Sequence, residues 1–185
     1  MSSPPKETDR SDAAQARAEA TGGEEGLSDS SIYFYGPTKT NGYLSNFYHV
    51  KDKFQYDGVS FHTSEHHLMY QKAMLMGDDN TASKIKHVTK PLEAKRLGRQ
   101  VKPWDQTKWE NNCQDIMVNI LVAKFSDPQM KPFLESTRGK QLFEASPTDK
   151  IWGIGISVKS AESGASHNGR NLLGKALMRA REVIF

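Results

Sequence analysis

Apolar and polar residues alternate through residues 54–61 at the spacing of a β-hairpin. The runs 54–56 and 59–61 place aromatic or β-branched residues at every second position, and Asp57-Gly58 between them favours a tight turn. Three other short segments are rich in β-prone residues, and we expect strands there too: 32–35, 141–145 and 151–157.

Helical spacing of apolar residues dominates the rest of the chain. Thr63 or Ser64 can cap a helix that reaches Gly77, and Pro91 is a favourable first residue for another helix. This pattern predicts an α+β fold, a single compact and mostly helical domain with a small β-sheet. The predicted helices cover residues 64–77, 79–87, 91–98, 106–125, 128–136 and 168–185.

The first 31 residues differ in composition from everything that follows. They contain no aromatic residue and are rich in Ser, Ala, Gly and acidic residues. Such a segment cannot bury enough apolar surface to offset the conformational entropy that folding removes. We therefore predict a disordered acidic, Ser-rich tail over residues 1–31 and a folded domain over residues 32–185.

The predicted domain is more basic than the whole chain. The tail holds three basic and seven acidic residues, which leaves 22 basic and 15 acidic residues in 32–185. The net charge of the domain is therefore about +7, against +3 for the full sequence. A charge of this sign favours an anionic partner such as a nucleotide, a phosphate ester or a nucleic acid, although a solvated basic surface has the same composition.

The sequence gives no sign of a membrane or secretory segment. No apolar run reaches the length of about 18 residues that a membrane helix needs, and the acid-rich N-terminal segment lacks the apolar core of a signal peptide. The single cysteine, Cys113, precludes an internal disulfide. We expect a cytoplasmic or nuclear monomer without membrane partners.

The helix that starts at Ser64 carries the first candidate catalytic groups. Glu65, Met69 and Lys72 lie on one stripe of it, so both charged side chains share a partly buried face. Partial burial moves pKa values towards those that acid–base or nucleophilic catalysis needs. The plainer interpretation is that Glu65 stabilises the helix as an acid in its first turn.

Three histidines at the start of the same helix do not form a convincing metal site. Zinc needs at least three protein ligands, but His62 precedes the helix, and the only cysteine is far from His66 and His67 in sequence. We therefore predict neither a metal nor a cofactor.

Residues 144–155 combine a carboxylate with an aromatic surface. Asp149 and Trp152 lie next to Gly153, which lets the backbone approach a ligand closely while the indole offers a stacking face. This combination suits a nucleoside site. A core tryptophan beside a turn aspartate is the alternative interpretation.

A further candidate site precedes the last helix. Asn168, Arg170 and Asn171 belong to a Gly- and Asn-rich segment that would present free backbone N–H groups and one positive charge to an anion. Ordinary capping of the helix by Asn168 explains the same residues.

Five motifs follow one another along the chain. They are Gly-Tyr-Leu-Ser-Asn-Phe-Tyr at 42–48, Ser-Glu-His-His-x-Met-Tyr-x-Lys-Ala at 64–73, Trp-Asp-x-x-Lys at 104–108, Leu-x-Glu-Ala-Ser-Pro-x-Asp-x-x-Trp-Gly-Ile-Gly at 142–155, and Asn-Leu-Leu-Gly-x-x-Leu-Met-x-x-Arg at 171–181. Their order resembles the NADAR family, which is named for its association with NAD and ADP-ribose. The resemblance spans about residues 32–184 and implies a compact α+β fold with N-glycosidase activity.

The implied reaction cleaves a ribosyl–nitrogen bond and builds positive charge at the anomeric carbon. We predict Glu65 and Asp149 as the chemical pair, in which one stabilises the cation or activates water and the other serves the leaving group. Lys72 offers a second route, in which it attacks a ring-opened sugar and forms a Schiff base. The predicted ligand contacts are Asn46 for ribose or base, Trp104 and Trp152 for stacking, and Lys108 for phosphate.

Two substrates follow from the resemblance. One branch of the family removes ADP-ribose from guanine bases in DNA, and another acts on phosphorylated ribosylaminopyrimidine intermediates of riboflavin synthesis. The basic domain favours the first, so the predicted partner is ADP-ribose or an ADP-ribosylated nucleobase, with DNA as its carrier. A module that binds ADP-ribose without cleaving it and a general nucleic-acid-binding protein are the alternatives from other classes.

Overall fold

The computed structural model describes residues 31–185, which fold into an α+β domain. The predicted tail lies outside the described residues except for Ser31, which belongs to the first strand. Strand β1 (Ser31–Phe34) runs parallel to β4 (Gln141–Glu144). Strands β2 (Phe54–Tyr56) and β3 (Val59–Phe61) form the predicted hairpin. The expected small sheet therefore consists of two separate two-stranded sheets.

Helices make up most of the described chain, and capping residues explain where they begin and end. Thr63 caps the first helix by accepting a hydrogen bond from the N–H of His66, and Gly77 ends it in the left-handed conformation. None of these helices is long and apolar enough to cross a lipid bilayer. The α-helices of the described residues are α1 (Ser64–Met76), α2 (Asp79–His87), α3 (Pro91–Gly98), α4 (Gln106–Ser126), α5 (Lys131–Glu135), α6 (Val158–Glu162) and α7 (Leu172–Ile184).

The core is organised around α4, against which α1 and α7 pack. Helix α3 crosses α1 at a point where Gly98 contacts Met69. A Cβ atom at residue 98 would collide with the Met69 side chain, so glycine permits this close approach. As a result, Lys95 and Arg99 come within electrostatic range of Glu65 at the start of α1.

Three predicted elements are wrong in extent or kind. The helix predicted over residues 128–136 covers only Lys131–Glu135, and the short helix α6 is not predicted from the sequence at all.

The other two differences are larger. Residues 151–157 form turns instead of a strand, because the Asp149 carboxylate binds the backbone just after it and Gly155 has a positive φ of 77°. The last helix begins at Leu172 and not at Asn168, because Asn171 has a left-handed φ of 52° that a right-handed helix cannot include. Both differences lie in the region that builds the site.

Candidate active site

A small cavity of about 100 Å³ brings together three carboxyl groups from distant parts of the chain. Glu65 at the start of α1, Glu144 at the end of β4 and Asp149 in the following loop all line it. The predicted convergence of Glu65 and Asp149 on one space is therefore observed, whereas Glu144 was not among the predicted site residues. The other lining residues are Asn46, Phe47, Leu68, Met69, Lys95 and Trp152.

The cavity adjoins a larger open groove of about 700 Å³. The two spaces share four lining residues, among them Lys95 and Glu144. Arg99 and Lys150 add two more positive charges to the groove. The cavity therefore has three acidic residues and one basic residue in its wall, whereas the groove has three basic residues and the two acids that it shares with the cavity. The other groove residues are Tyr35, Gly36, Pro37, Ser45, Phe47, Ser146, Thr148, Asp149 and Ile151.

A buried lysine holds the segment that supplies Asn46 to the cavity. Lys124 on α4 is fully buried, and its Nζ donates hydrogen bonds to the carbonyl oxygens of Tyr43 at 2.7 Å and Ser45 at 3.3 Å. The Asn46 carbonyl in turn accepts a hydrogen bond from the N–H of Glu65 at 3.0 Å, which joins this segment to α1. Burial lowers the pKa of Lys124 to about 7. Sequence reasoning missed this lysine because nothing local distinguishes it from a solvent-facing helix residue.

The loop that carries Asp149 and Trp152 is fastened to the start of α7. The backbone N–H groups of residues 170–173 donate to carbonyl oxygens of residues 150–153 at 2.8–3.1 Å. These are the amides that were expected to bind an anion, so the predicted anion site at the start of the last helix is wrong. Asn168 and Arg170 are exposed, and neither lines the cavity or the groove.

Asn171 and Gly153 support Glu144 from outside the cavity and do not line it. The Asn171 side chain accepts a hydrogen bond from the N–H of Glu144 at 3.1 Å and donates one to the carbonyl of Leu142 at 2.9 Å. A Cβ atom on Gly153 would lie 2.7 Å from the Glu144 carbonyl oxygen, so the loop approaches the strand at a distance that only glycine allows. The sequence predicts both residues as ligand contacts, whereas in the structure they position Glu144.

Three other predicted residues lie outside both spaces. The Nζ of Lys72 is 4.4 Å from the centre of the Trp104 ring, and Trp104 itself is 43% exposed. Burial lowers the pKa of Lys72, and the nearby charge of Glu65 partly offsets that effect. Lys108 is exposed at the start of α4. None of the three lines the cavity or the groove.

The histidines of the α1 region bind protein atoms. Nδ1 of His66 lies 2.7 Å from the hydroxyl of Thr63, and Nε2 of His67 lies 3.1 Å from the carbonyl of Phe54. The ring of His62 contacts another backbone carbonyl. Within residues 31–185, His, Cys, Asp and Glu side chains form no group of three or more that could hold a metal ion.

Burial, with repulsion from Asp149, raises the pKa of both glutamates in the cavity. Burial has the largest effect on Glu65 and raises its pKa to about 7, with Asp149 adding to the rise and Lys95 opposing it. Burial, followed by the charges of Asp149 and Glu65, raises the pKa of Glu144 to about 8. At neutral pH Glu144 therefore holds a proton, while Glu65 is divided between its two forms. Acid–base catalysis uses such pairs of carboxyl groups in unequal protonation states.

Comparison with known proteins and the sequence motifs indicate the same protein family. Residues 33–185 match the NADAR domain family. N-glycosidase R617 of Acanthamoeba polyphaga mimivirus is 35% identical over 163 residues, which cover 83% of this chain and 96% of that protein. N-glycosidase YbiA of Escherichia coli K12 is 30% identical over 85% of this chain and 91% of YbiA.

Two further matches bear on fold and substrate. The NMR structure of E. coli YbiA superimposes with a TM-score of 0.69 at 29% identity and covers 84% of this chain and 85% of that one. Riboflavin biosynthesis protein VVA0006 of Vibrio vulnificus is 29% identical over 85% of this chain, but this chain spans only 40% of that protein. The family resemblance and the α+β fold are confirmed.

The raised pKa of Glu144 predicts a stability that falls with pH. Because folding raises this pKa above its ordinary value of 4.5, the folded state binds the proton more tightly than the unfolded state does. Stability from this group is therefore complete below pH 4.5 and is lost as pH rises through about 8. Glu144→Gln keeps the shape of the neutral carboxyl group, so at pH 9 we expect the variant to be more stable than wild type by about 4–5 kcal/mol, and at pH 5 we expect a difference of about 1 kcal/mol or less.

Urea unfolding followed by tryptophan fluorescence at the two pH values measures this difference. The exposed residue Glu162 provides the matched control, because Glu162→Gln removes an acid that is not buried. Equal pH dependence in wild type and Glu144→Gln would show that Glu144 ionises normally.

Proposed function

We propose that this chain, which belongs to the NADAR domain family and is a hydrolase of N-glycosyl bonds, cleaves the bond that joins ADP-ribose to a guanine base in DNA. The observation that carries this proposal is the larger groove, with Lys95, Arg99 and Lys150 in its wall, that adjoins the acidic cavity. The reacting ribose belongs beside the carboxyl groups. ADP-ribose also has a diphosphate and an adenosine half, and both need space beyond the cavity.

The groove has the size and the chemistry that this second half requires. Its volume of about 700 Å³ lies within the range of nucleotide-sized ligand sites. Arg99 and Lys150, with Lys95 at the junction, can neutralise a diphosphate, and arginine can bind it through two hydrogen bonds. Tyr35 and Ile151 are 44% and 54% exposed in the groove wall and offer apolar surface to an adenine ring.

The cavity supports cleavage of a ribosyl–nitrogen bond. Positive charge develops at the anomeric carbon in the transition state, and an ionised carboxylate beside it lowers the barrier. Glu65 is suited to that role because it is partly ionised at neutral pH and is buried away from bulk water. Asn46 Oδ1 is buried and has no hydrogen-bond partner among the described residues, so it can accept a bond from a ribose hydroxyl. Trp152 offers a flat wall for the base.

The charge of the domain supports DNA as the carrier of the modified base. Residues 32–185 have a net charge of about +7. Several of the basic residues on and beside α2 and α3 are exposed, namely Lys84, Lys86, Lys90 and Arg96. Helix α3 also supplies Lys95 to the groove, so the helix that carries the exposed Arg96 reaches the proposed site.

A second candidate substrate is a phosphorylated ribosylaminopyrimidine intermediate of riboflavin synthesis. The similarity to Riboflavin biosynthesis protein VVA0006 favours it. Such a molecule contains one phosphate and no adenosine, so it would occupy the cavity and the nearest part of the groove only.

The lysine route remains a prediction beside the carboxylate route. Burial lowers the pKa of Lys72, as Schiff-base chemistry requires, but Lys72 lines neither the cavity nor the groove. We therefore assign the chemistry to the carboxyl groups. Borohydride added during turnover separates the routes, because only a Schiff base would leave reduced sugar attached to Lys72.

The proposal predicts which substrate is cleaved and which variant loses activity. Wild-type protein should release ADP-ribose from an oligonucleotide that carries ADP-ribosylated guanine. Glu65→Gln should reduce kcat about 100-fold or more while ADP-ribose still binds, because the transition state loses its anion. Chromatography of the products, with Glu162→Gln as control, measures both. If the protein releases ribose 5-phosphate from ribosylaminopyrimidine phosphate but does not cleave the oligonucleotide, the second candidate is favoured. Full turnover by Glu65→Gln would show that the cavity is not the catalytic site.

The groove predicts a separate effect on binding. Arg99→Ala should weaken ADP-ribose binding about tenfold, because one charge-assisted contact to the diphosphate is lost. Arg96→Ala is the matched control, since Arg96 is an exposed arginine in the last turn of α3, three residues before Arg99, and does not line the groove. Isothermal titration calorimetry compares the two variants with wild type. Equal affinities for Arg99→Ala and Arg96→Ala would place the diphosphate elsewhere.

A further inference from the structure

We propose that Glu144, and not Asp149, is the acid that protonates the departing base nitrogen, and that Asp149 is a positioning residue. The proposal rests on N-glycosidase chemistry in the acidic cavity, but not on the identity of the base. It replaces one member of the pair that the sequence predicts, because the structure places a third carboxyl group in the same cavity.

Asp149 is largely engaged in holding its own loop. Its Oδ1 accepts hydrogen bonds from the N–H groups of Ile151 and Trp152, each at 2.8 Å. Its own N–H donates to the hydroxyl of Ser146 at 3.2 Å. These bonds shape the turn that carries Trp152 to the cavity wall, so one oxygen of Asp149 is committed to the backbone.

Glu144 has the opposite surroundings, with a fixed main chain and a free side chain. Its N–H is bonded to the Asn171 side chain, and its carbonyl accepts a hydrogen bond from Ile154 at 2.9 Å. Its Oε2, in contrast, is buried without a hydrogen-bond partner among residues 31–185. A buried carboxylate oxygen without a partner is costly, whereas a neutral carboxyl group costs less and retains an O–H to donate. Glu144 lines both the cavity and the groove, so it lies where the two spaces meet.

The charges around Glu144 support the protonated form. Burial raises its pKa, and the neighbouring acids Asp149 and Glu65 raise it further to about 8, while Lys95 is the opposing charge. Glu65 has the lower pKa of the two glutamates, so it is the group that carries negative charge first as pH rises. The other titratable groups in the groove wall are Tyr35, Arg99 and Lys150.

The step that follows from this arrangement is balanced in protons and electrons. The bond between C1′ of the ribose and the base nitrogen breaks, and its electron pair goes to the nitrogen, which takes the proton of Glu144. Water then adds to C1′ and gives a proton to the Glu65 carboxylate. The products are ribose with a hydroxyl on C1′ and a base with an N–H group. Glu144 regains a proton and Glu65 loses one by exchange with solvent.

The test is the pH profile of kcat/KM for the full chain and its variants, measured from pH 5 to 10. For the wild type, kcat/KM should rise with pH as Glu65 ionises, near pH 7, and should fall as Glu144 loses its proton, near pH 8. Glu144→Gln should lower the maximum about 100-fold and lose the alkaline fall, because no acid remains to ionise. Glu144→Asp should restore an alkaline fall, and Asp149→Asn should lower activity but keep that fall.

Three outcomes overturn the proposal. Glu144→Gln that retains the alkaline fall and activity within threefold of wild type would show that another group is the acid. Loss of the alkaline fall in kcat/KM in Asp149→Asn, but not in Glu144→Gln, would show that Asp149 is the acid.

Circular dichroism and unfolding of each variant separate these results from misfolding. A wrong substrate can be told apart from a wrong catalytic acid. If the substrate is wrong, the wild type leaves ADP-ribosylated guanine intact, and the same pH profiles are then measured with ribosylaminopyrimidine phosphate. A wild type inactive on both would count against the N-glycosidase premise and this proposal together.

Discussion

The chemistry of the site depends on one constraint: three carboxyl groups share a cavity of about 100 Å³, and burial keeps two of them, Glu65 and Glu144, from ionising fully at neutral pH. Lys95 is the one basic residue that lines the same cavity, so it compensates only part of the charge. The remaining repulsion is relieved by protonation of the glutamates near neutral pH. A group that donates a proton and a group that stabilises positive charge thereby coexist within one small space.

The fold holds this unfavourable arrangement in place through hydrogen bonds to the backbone around it. The start of α7 binds the 150–153 loop, Asn171 fixes the end of β4, and Lys124 holds the segment before α1. None of these contacts reaches the cavity interior. They prevent the acids from moving apart, which would otherwise relieve their repulsion and remove the shifted pKa values. Stability is given up here for function, as is common at active sites.

Sequence reasoning succeeded where the signal is local and failed where partners are distant. The hairpin, the capped start of α1 and the position of Glu65 and Asp149 at one cavity could be predicted from turn residues, capping residues and motif order. Glu144 was missed because a glutamate at a strand end resembles a solvated residue until Asp149 and Glu65 are placed beside it. The anion site predicted near Asn171 was wrong because its amides bind a loop 20 residues earlier in the chain, and no local pattern shows that.

The most direct test of the shared-cavity constraint is a titration of the glutamate side chains by NMR, with ¹³C at the carboxyl carbon of every glutamate. Spectra of Glu65→Gln and Glu144→Gln assign the two resonances that matter. We expect two carboxyl carbons to titrate well above the rest, near pH 7 and pH 8, and Glu65→Gln to lower the pKa of Glu144, because the charge of Glu65 helps to raise it. Glutamates that all titrate near pH 4–5, as about 4.3 is usual for this side chain, would contradict the constraint and the catalytic roles derived from it.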